Sequence, residues 1–198
     1  MRTAGSLGLR DFATIPAADE TNDECRFWSA WARVLLGDRD RSVGTLMQTA
    51  TGSGPNRAEA LGLALQSMRS AAAHNLLKDL ASDPSQLRWL IKGSGIVGDP
   101  IYVSWLINQM RDDRAARLAG EAFTLITGAG LEAIRLHKSQ PEDFESGPTD
   151  NPDDENVDMD PDEGLPWPDV EKVEKWWSAN AHRFHKGTRY FMGRPHRR

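Results

Sequence analysis

The apolar positions of this chain recur at helical spacing, most clearly between residues 98 and 128. Asp99-Pro100 sets a capping carboxylate before a proline at the first helical position, where proline's missing N–H is not needed. Val103, Leu106, Ile107 and Met110 follow at i, i+3, i+4 and i+7, which is one face of a helix. Asp112-Asp113 ends that helix and caps a second, in which Ala119, Ala122, Phe123 and Ile126 repeat the spacing. Gly128 supplies a left-handed stop. The pattern predicts two helices, each of about twelve residues, joined as an antiparallel hairpin by a short turn. Alanines on the second helix would let the first approach closely.

The same unit of roughly 30 residues can be sought upstream. Residues 73–80 correspond to the first helix, Asp83-Pro84 to the turn, and residues 87–97 with Gly98 to the second. Residues 41–50 and 56–68 form an earlier and poorer pair, broken at Gly52-Ser53-Gly54-Pro55. Leu46, Leu76 and Leu106 keep a common position in the three. Before them, Phe27, Trp28, Trp31, Val34 and Leu35 make an apolar stripe that begins near Thr21 or Asn22. Consecutive hairpins at constant period are the signature of a helical solenoid; the alternative is an ordinary helical bundle.

After Leu136 the pattern stops. Residues 138–164 are polar, acidic and rich in proline and glycine, with too little apolar surface to order themselves. Residues 142–163 hold eleven carboxylates and no Lys or Arg, whereas residues 172–198 hold eight Lys or Arg. Residues 1–141 are close to balance, with sixteen basic and fifteen acidic side chains, so the net charge of −5 comes from one segment. Leu165-Pro166-Trp167-Pro168-Asp169 then caps a final helix whose apolar face is Val170, Val173, Trp177, Ala181 and Phe184, with Gly187 as its end. The expected organisation is an N-terminal segment, disordered, over residues 1–20, helical repeats over 21–137, a flexible acidic insertion over 138–164, and an aromatic and basic C-terminal helix and tail over 165–198.

Two features carry a family resemblance. Gly98-Asp99-Pro100 before one helix, with Arg117-Leu118-Ala119 opening the apolar face of the next, resembles the phycobilisome-lyase-like class of HEAT repeats. Leu165-Pro166-Trp167-Pro168, Trp176-Trp177, Asn180, Arg183-Phe184, Gly187, Arg189-Tyr190, Gly193 and Pro195 resemble the C-terminal signature of a bacterial HEAT-like family often encoded beside type VI secretion genes. Members are usually longer, which would make this chain a shortened or divergent relative. The resemblance implies an all-α, HEAT-like α-solenoid of antiparallel hairpins closed by a C-terminal capping helix. It implies no catalytic residues.

Candidate chemistry is sparse. Asp158, Asp160 and Asp162 alternate as in an EF-hand, with Asp169 at the twelfth place. Glycine falls seventh rather than sixth, as Gly164, and three prolines restrict the wrap, so a solvated acidic strip or a docking strip for a basic partner is the better reading. His182 and His185 stand among cations that disfavour a bound metal. Gly93-Ser94-Gly95 lies inside a helical repeat and lacks the lysine of a phosphate loop, so its glycines are read as packing glycines. No Gly-x-Ser-x-Gly nucleophile turn occurs, and Cys25 is the single cysteine, which leaves no intrachain disulfide. The basic tail around Phe184, Tyr190 and Phe191 could grip phosphates, but the neighbouring carboxylates oppose that; attraction between tail and acidic loop is the preferred role.

No apolar stretch approaches the roughly 18 residues of a membrane span, and a cytoplasmic location is expected. The reading is a non-catalytic protein-binding scaffold or adaptor without cofactor or metal. Its partner is another protein, for instance a component or effector of type VI secretion, with the chain as an accessory or immunity-like factor. The partner-binding residues proposed from the sequence are Trp167, Trp176, Arg189, Tyr190 and Arg194. The rivals are an enzyme or enzyme subunit of HEAT-like type, and a nucleic-acid-binding relative.

Overall fold

The computed structural model describes residues 22–38, 41–147 and 159–196; the expected N-terminal segment and the middle of the acidic insertion lie outside them. Among the described residues there are eight α-helices and four two-residue strands, so the chain is predominantly helical. No helix among them is long and apolar enough to cross a membrane. The chain divides into two compact units between Pro84 and Ser85. That boundary separates residues 70–81 from 87–97, so the middle repeat read from the sequence is not a hairpin within one unit.

The first unit holds α1 (Asp23–Leu35), α2 (Arg41–Thr51), α3 (Arg57–Ser67) and α4 (Ser70–Ala81). Asn22 caps α1 by accepting from the Glu24 N–H at 2.8 Å, and Asp23 and Glu24 add negative charge at the positive end of the helix dipole. α2 and α3 pack as the expected hairpin, and the Arg57 Nε–H donates to the Ala50 carbonyl at 2.9 Å, in the last turn of α2. α1 packs on both. Its buried face differs from the expected stripe: Phe27, Ser29, Ala30, Ala32 and Val34 are buried, whereas Leu35 is exposed. Small side chains permit the close approach, and the bulky Trp28 and Trp31 stay half-buried in an edge-to-face contact at 5.8 Å. α4 buries Ala73, Leu76, Leu77 and Leu80, the face its spacing predicts.

The second unit is organised around one helix. It comprises α5 (Leu87–Val97), a 3₁₀ turn (Pro100–Tyr102), α6 (Val103–Gln109), α7 (Asp113–Thr127), β1 (His137–Lys138), β2 (Trp167–Pro168), α8 (Val170–Asn180), a 3₁₀ turn (Ala181–Arg183), β3 (Tyr190–Phe191) and β4 (Arg194–Pro195). α7 touches α5, α6, β2 and β3, and ten of its fifteen residues are buried. Asp112 caps it through the Arg114 N–H at 3.1 Å, and Gly128 ends it in the left-handed region. α6 is shorter than its periodicity predicts, because the chain after Pro100 opens as a 3₁₀ turn before becoming α-helical.

α5 lies against α7 at Gly95. A Cβ there would stand 2.9 Å from the Cα of Ala122, so the packing role expected of these glycines holds at this position. Gly95→Val is therefore expected to destabilise by at least ~1–3 kcal/mol, since backbone rather than a flexible side chain must yield. Gly62 in α3 has nothing within 4 Å of its would-be Cβ, so Gly62→Ala should instead stabilise by about 0.5–1 kcal/mol. Denaturant midpoints of the two variants should move in opposite directions.

Candidate functional site

The residues singled out in the sequence converge on the second unit in two clusters: a tail that grips helix ends, and an arginine knot beside α7.

The tail begins at Asp169, whose carboxylate accepts from the Lys172 N–H at 3.2 Å and pairs with the Lys172 ammonium at 2.8 Å. Val173 is the buried residue of α8. Trp177, on the expected apolar face of this helix, is only half-buried, and so is its neighbour Trp176. Trp176 meets Phe123 of α7 edge-to-face at 5.6 Å, while Trp177 begins a chain of rings, 5.4 Å to Phe184 and then 5.1 Å from Phe184 to Tyr190. The reason is that α8 stops at Asn180, short of the expected Gly187. A 3₁₀ turn then swings Phe184 back under Trp177.

Beyond that turn the chain seats itself on the two left-handed glycines. At Gly98 the Tyr190 N–H donates to the glycine carbonyl at 2.8 Å, and a Cβ on Gly98 would lie 2.1 Å from the Tyr190 carbonyl oxygen. Next to it, buried Asp99 caps the 3₁₀ turn through the Ile101 N–H and also accepts from the Gly187 N–H at 3.0 Å. Burial, and then the charge of Asp99, push the Tyr102 phenol up to about 12. At Gly128 the tip of the β3–β4 hairpin docks: Met192 and Gly193 donate to the carbonyls of Leu125 (2.7 Å) and Ile126 (3.2 Å). Carbonyls at the end of α7 thereby find donors. Tyr190 is held from its other end as well, its hydroxyl accepting from the His185 N–H at 3.0 Å.

The second cluster surrounds Arg117, whose side chain keeps 7% of its accessible surface. Nη2 pairs with Asp160 at 2.8 Å and Nη1 donates to the Asp162 carbonyl at 3.0 Å. The guanidinium carbon lies 4.8 Å from the Trp167 ring centroid and 5.2 Å from that of Phe144, so the cation has aromatic neighbours as well as ionic ones. Arg88 of α5 grips the buried carboxylate of Asp162 with both terminal nitrogens, at 2.9 and 2.6 Å. Burial works against charge on Asp160, but the Asp162 N–H, the Arg117 guanidinium and the Ser146 hydroxyl outweigh it and hold this carboxyl below its ordinary range. A two-residue ladder closes the neck of the insertion, His137 opposite Pro168 and Lys138 opposite Trp167.

These contacts revise the sequence assignments. Trp167 and Tyr190, proposed as partner-binding residues, are buried, and Trp176 is half-buried against Phe123. Arg189 is half-buried, and Arg194 is exposed. The acidic insertion was expected to be mobile throughout, yet Phe144, Asp160 and Asp162 are packed or paired on the helices. Among the described residues of the acidic loop, Asp160 and Asp162 meet arginines of α7 and α5 rather than of the tail. Those guanidiniums stand where the EF-hand spacing would have placed a cation; Asp158 lies outside the described residues. Among the described residues no group of three metal-ligating side chains converges.

The knot is flanked by clefts of about 560 and 550 Å³, both lined by Arg117, Phe144 and Asp160. Sequence reasoning missed Arg88 and Arg117 as a pair; the available signal was an arginine amid the alanines and leucine of an otherwise apolar helix face. The chain matches no protein-family model, no curated protein and no solved structure in the three comparisons made.

Removing one partner of a buried ion pair is expected to cost ~3–5 kcal/mol. Arg117→Met should show a loss of that size in denaturant unfolding, together with faster cleavage at Glu145 and Glu163 by a Glu-specific protease. The lowered Asp160 carboxyl contributes stability above the ordinary aspartate value of ~3.9 and loses it as pH falls through the lower folded value. Between about pH 5 and pH 2, the melting temperature of the wild type should fall more steeply than that of Asp160→Asn.

Proposed function

We propose that the chain is a non-catalytic protein-binding module of HEAT-like type, an adaptor, accessory or immunity-like factor in type VI secretion. The observation that carries the binding reading is the C-terminal hairpin. Its backbone is fixed to α5 and α7 by the Tyr190, Met192 and Gly193 N–H groups, yet its tip turns Phe191 (64% exposed) and Met192 (46% exposed) to solvent. Large apolar side chains held rigidly in water lower no energy within the fold, and an anchored display of this kind suits a partner's pocket.

The α2–α3 and α6–α7 hairpins and the resemblance of the tail support the HEAT-like part of the reading. The type VI association rests on the resemblance alone. For an enzymatic alternative the obvious groups are Arg88, Arg117, Asp160 and Asp162, but their charges pair with one another in the arginine knot, with Arg117 Nε left buried without a partner, an arrangement that suits structure better than proton transfer. The partner-facing residues in this proposal are Phe191, Met192 and Arg194. Of the positions first assigned, Tyr190 becomes the support beneath them, while Trp167 belongs to the arginine knot.

Affinity capture of the tagged protein from its native cells tests the reading. The wild type should retain a discrete partner that Phe191→Asp loses. Because position 191 is exposed, the substitution should change stability by no more than about 0.5 kcal/mol. Capture that survives Phe191→Asp would place the binding surface elsewhere.

A further inference from the structure

Phe191 pairs across the hairpin with Arg194, and Tyr190 with Pro195; the ladder continues through the His196 N–H to the Arg189 carbonyl at 2.7 Å. Side chains alternate along strands, and cross-strand partners share a face. Tyr190 marks the inner face because it is buried. The outer face is then Arg189, Phe191, Arg194 and His196, one ring among three cationic or titratable side chains. Residues 183–196 contain Arg183, His185, Lys186, Arg189, Arg194 and His196 and no carboxylate. The tip is also set against its own preference. Met192 stands at φ 49° beside Gly193 at φ 76°, a pair of left-handed positions that usually falls to Asn-Gly. A methionine there keeps an exposed thioether where a small polar residue would fit the backbone better.

We infer that the hairpin inserts Phe191 and Met192 into an apolar pocket of its protein partner, and that carboxylates on the pocket's rim meet Arg194. This rests on the protein-binding reading above. The rigid backbone has little conformational entropy left to lose on docking, which favours a pocket over an adaptable surface. A single ring beside a thioether gives no ladder of stacking faces for successive bases, which argues against single-stranded nucleic acid. A planar anionic membrane would also meet the chain's net charge of −5, whereas a compact pocket feels only charges within a Debye length, about 8 Å at physiological salt. Arginine suits the rim, since its planar fork engages a carboxylate through two hydrogen bonds.

The test uses the full chain in its native cells. p-Benzoylphenylalanine at position 191 is photoactivated to label the partner, and Arg194→Lys is treated with a carbodiimide, which joins an ammonium only to a nearby carboxylate. The expected result is one protein labelled by both routes, with the carbodiimide link mapped by mass spectrometry to one of its Asp or Glu residues. Arg194→Glu should weaken capture by about tenfold or more, and added salt should weaken the wild type more than Arg194→Gln. If Phe191→Asp abolishes capture while Arg194→Glu leaves it intact, the acidic rim is wrong and the protein-binding reading stands. If neither substitution affects capture, both fail. Wild-type binding to vesicles of phosphatidylserine and phosphatidylcholine, or to a single-stranded oligonucleotide, would overturn the inference if Phe191→Asp and Arg194→Glu each abolish it.

Discussion

A guanidinium buried on the central helix is the condition to which much of the second unit answers. α7 is covered by α5, α6, β2 and β3, and Arg117 lies among its buried residues. An arginine stays charged at any ordinary pH, and an unmatched charge in that position costs several kcal/mol. The match must come from outside the helix, and Asp160 and Asp162 supply it, with Trp167 and Phe144 as the aromatic neighbours. A segment with almost no apolar surface thereby gains a fixed attachment. Arg88 extends the same logic, because its grip on Asp162 joins α5 to the carboxylates that serve α7.

The tail answers a different deficit. α5 and α7 each end in a left-handed glycine, and each end leaves carbonyls and an open notch where a side chain would otherwise stand. Tyr190 fills the notch at Gly98 and the Met192-Gly193 turn fills the one at Gly128, so two equivalent helix ends receive one continuous strand–turn–strand. Phe184, Gly187, Tyr190 and Gly193 can thus be understood as parts of this closure.

Helix caps, and the stops at Gly98 and Gly128, were legible because their causes are local, whereas α8 stops at Asn180, short of Gly187. Asn22, Asp99, Asp112 and Asp169 all cap as their positions suggest, and Gly98 and Gly128 end helices as expected. What was not legible depends on partners far along the chain. Nothing near Arg117 announces that residues 160 and 162 will return to it, and a strip of carboxylates reads as solvated until the buried cations it meets are known. That Trp167 and Tyr190 would be buried was hidden for a related reason. An aromatic beside proline or arginine looks the same in sequence whether it supports a surface or forms one. Phe191, next to Tyr190, is the displayed ring, and only the hairpin register separates the two.

The span of these contacts bears on how the second unit forms. Its composition is helical, and helical chains ordinarily fold fast because their contacts are local. Yet the bonds that complete it join residues 88 apart at Asp99 and Gly187, and 74 apart at Arg88 and Asp162. Each closes a long loop, and that entropy is lost before the contact can repay it. The contacts among α5, α6 and α7 are close in sequence, whereas the ends of α5 and α7 are covered only by the distant tail. The second unit therefore joins the composition of a fast folder to closing contacts of long range.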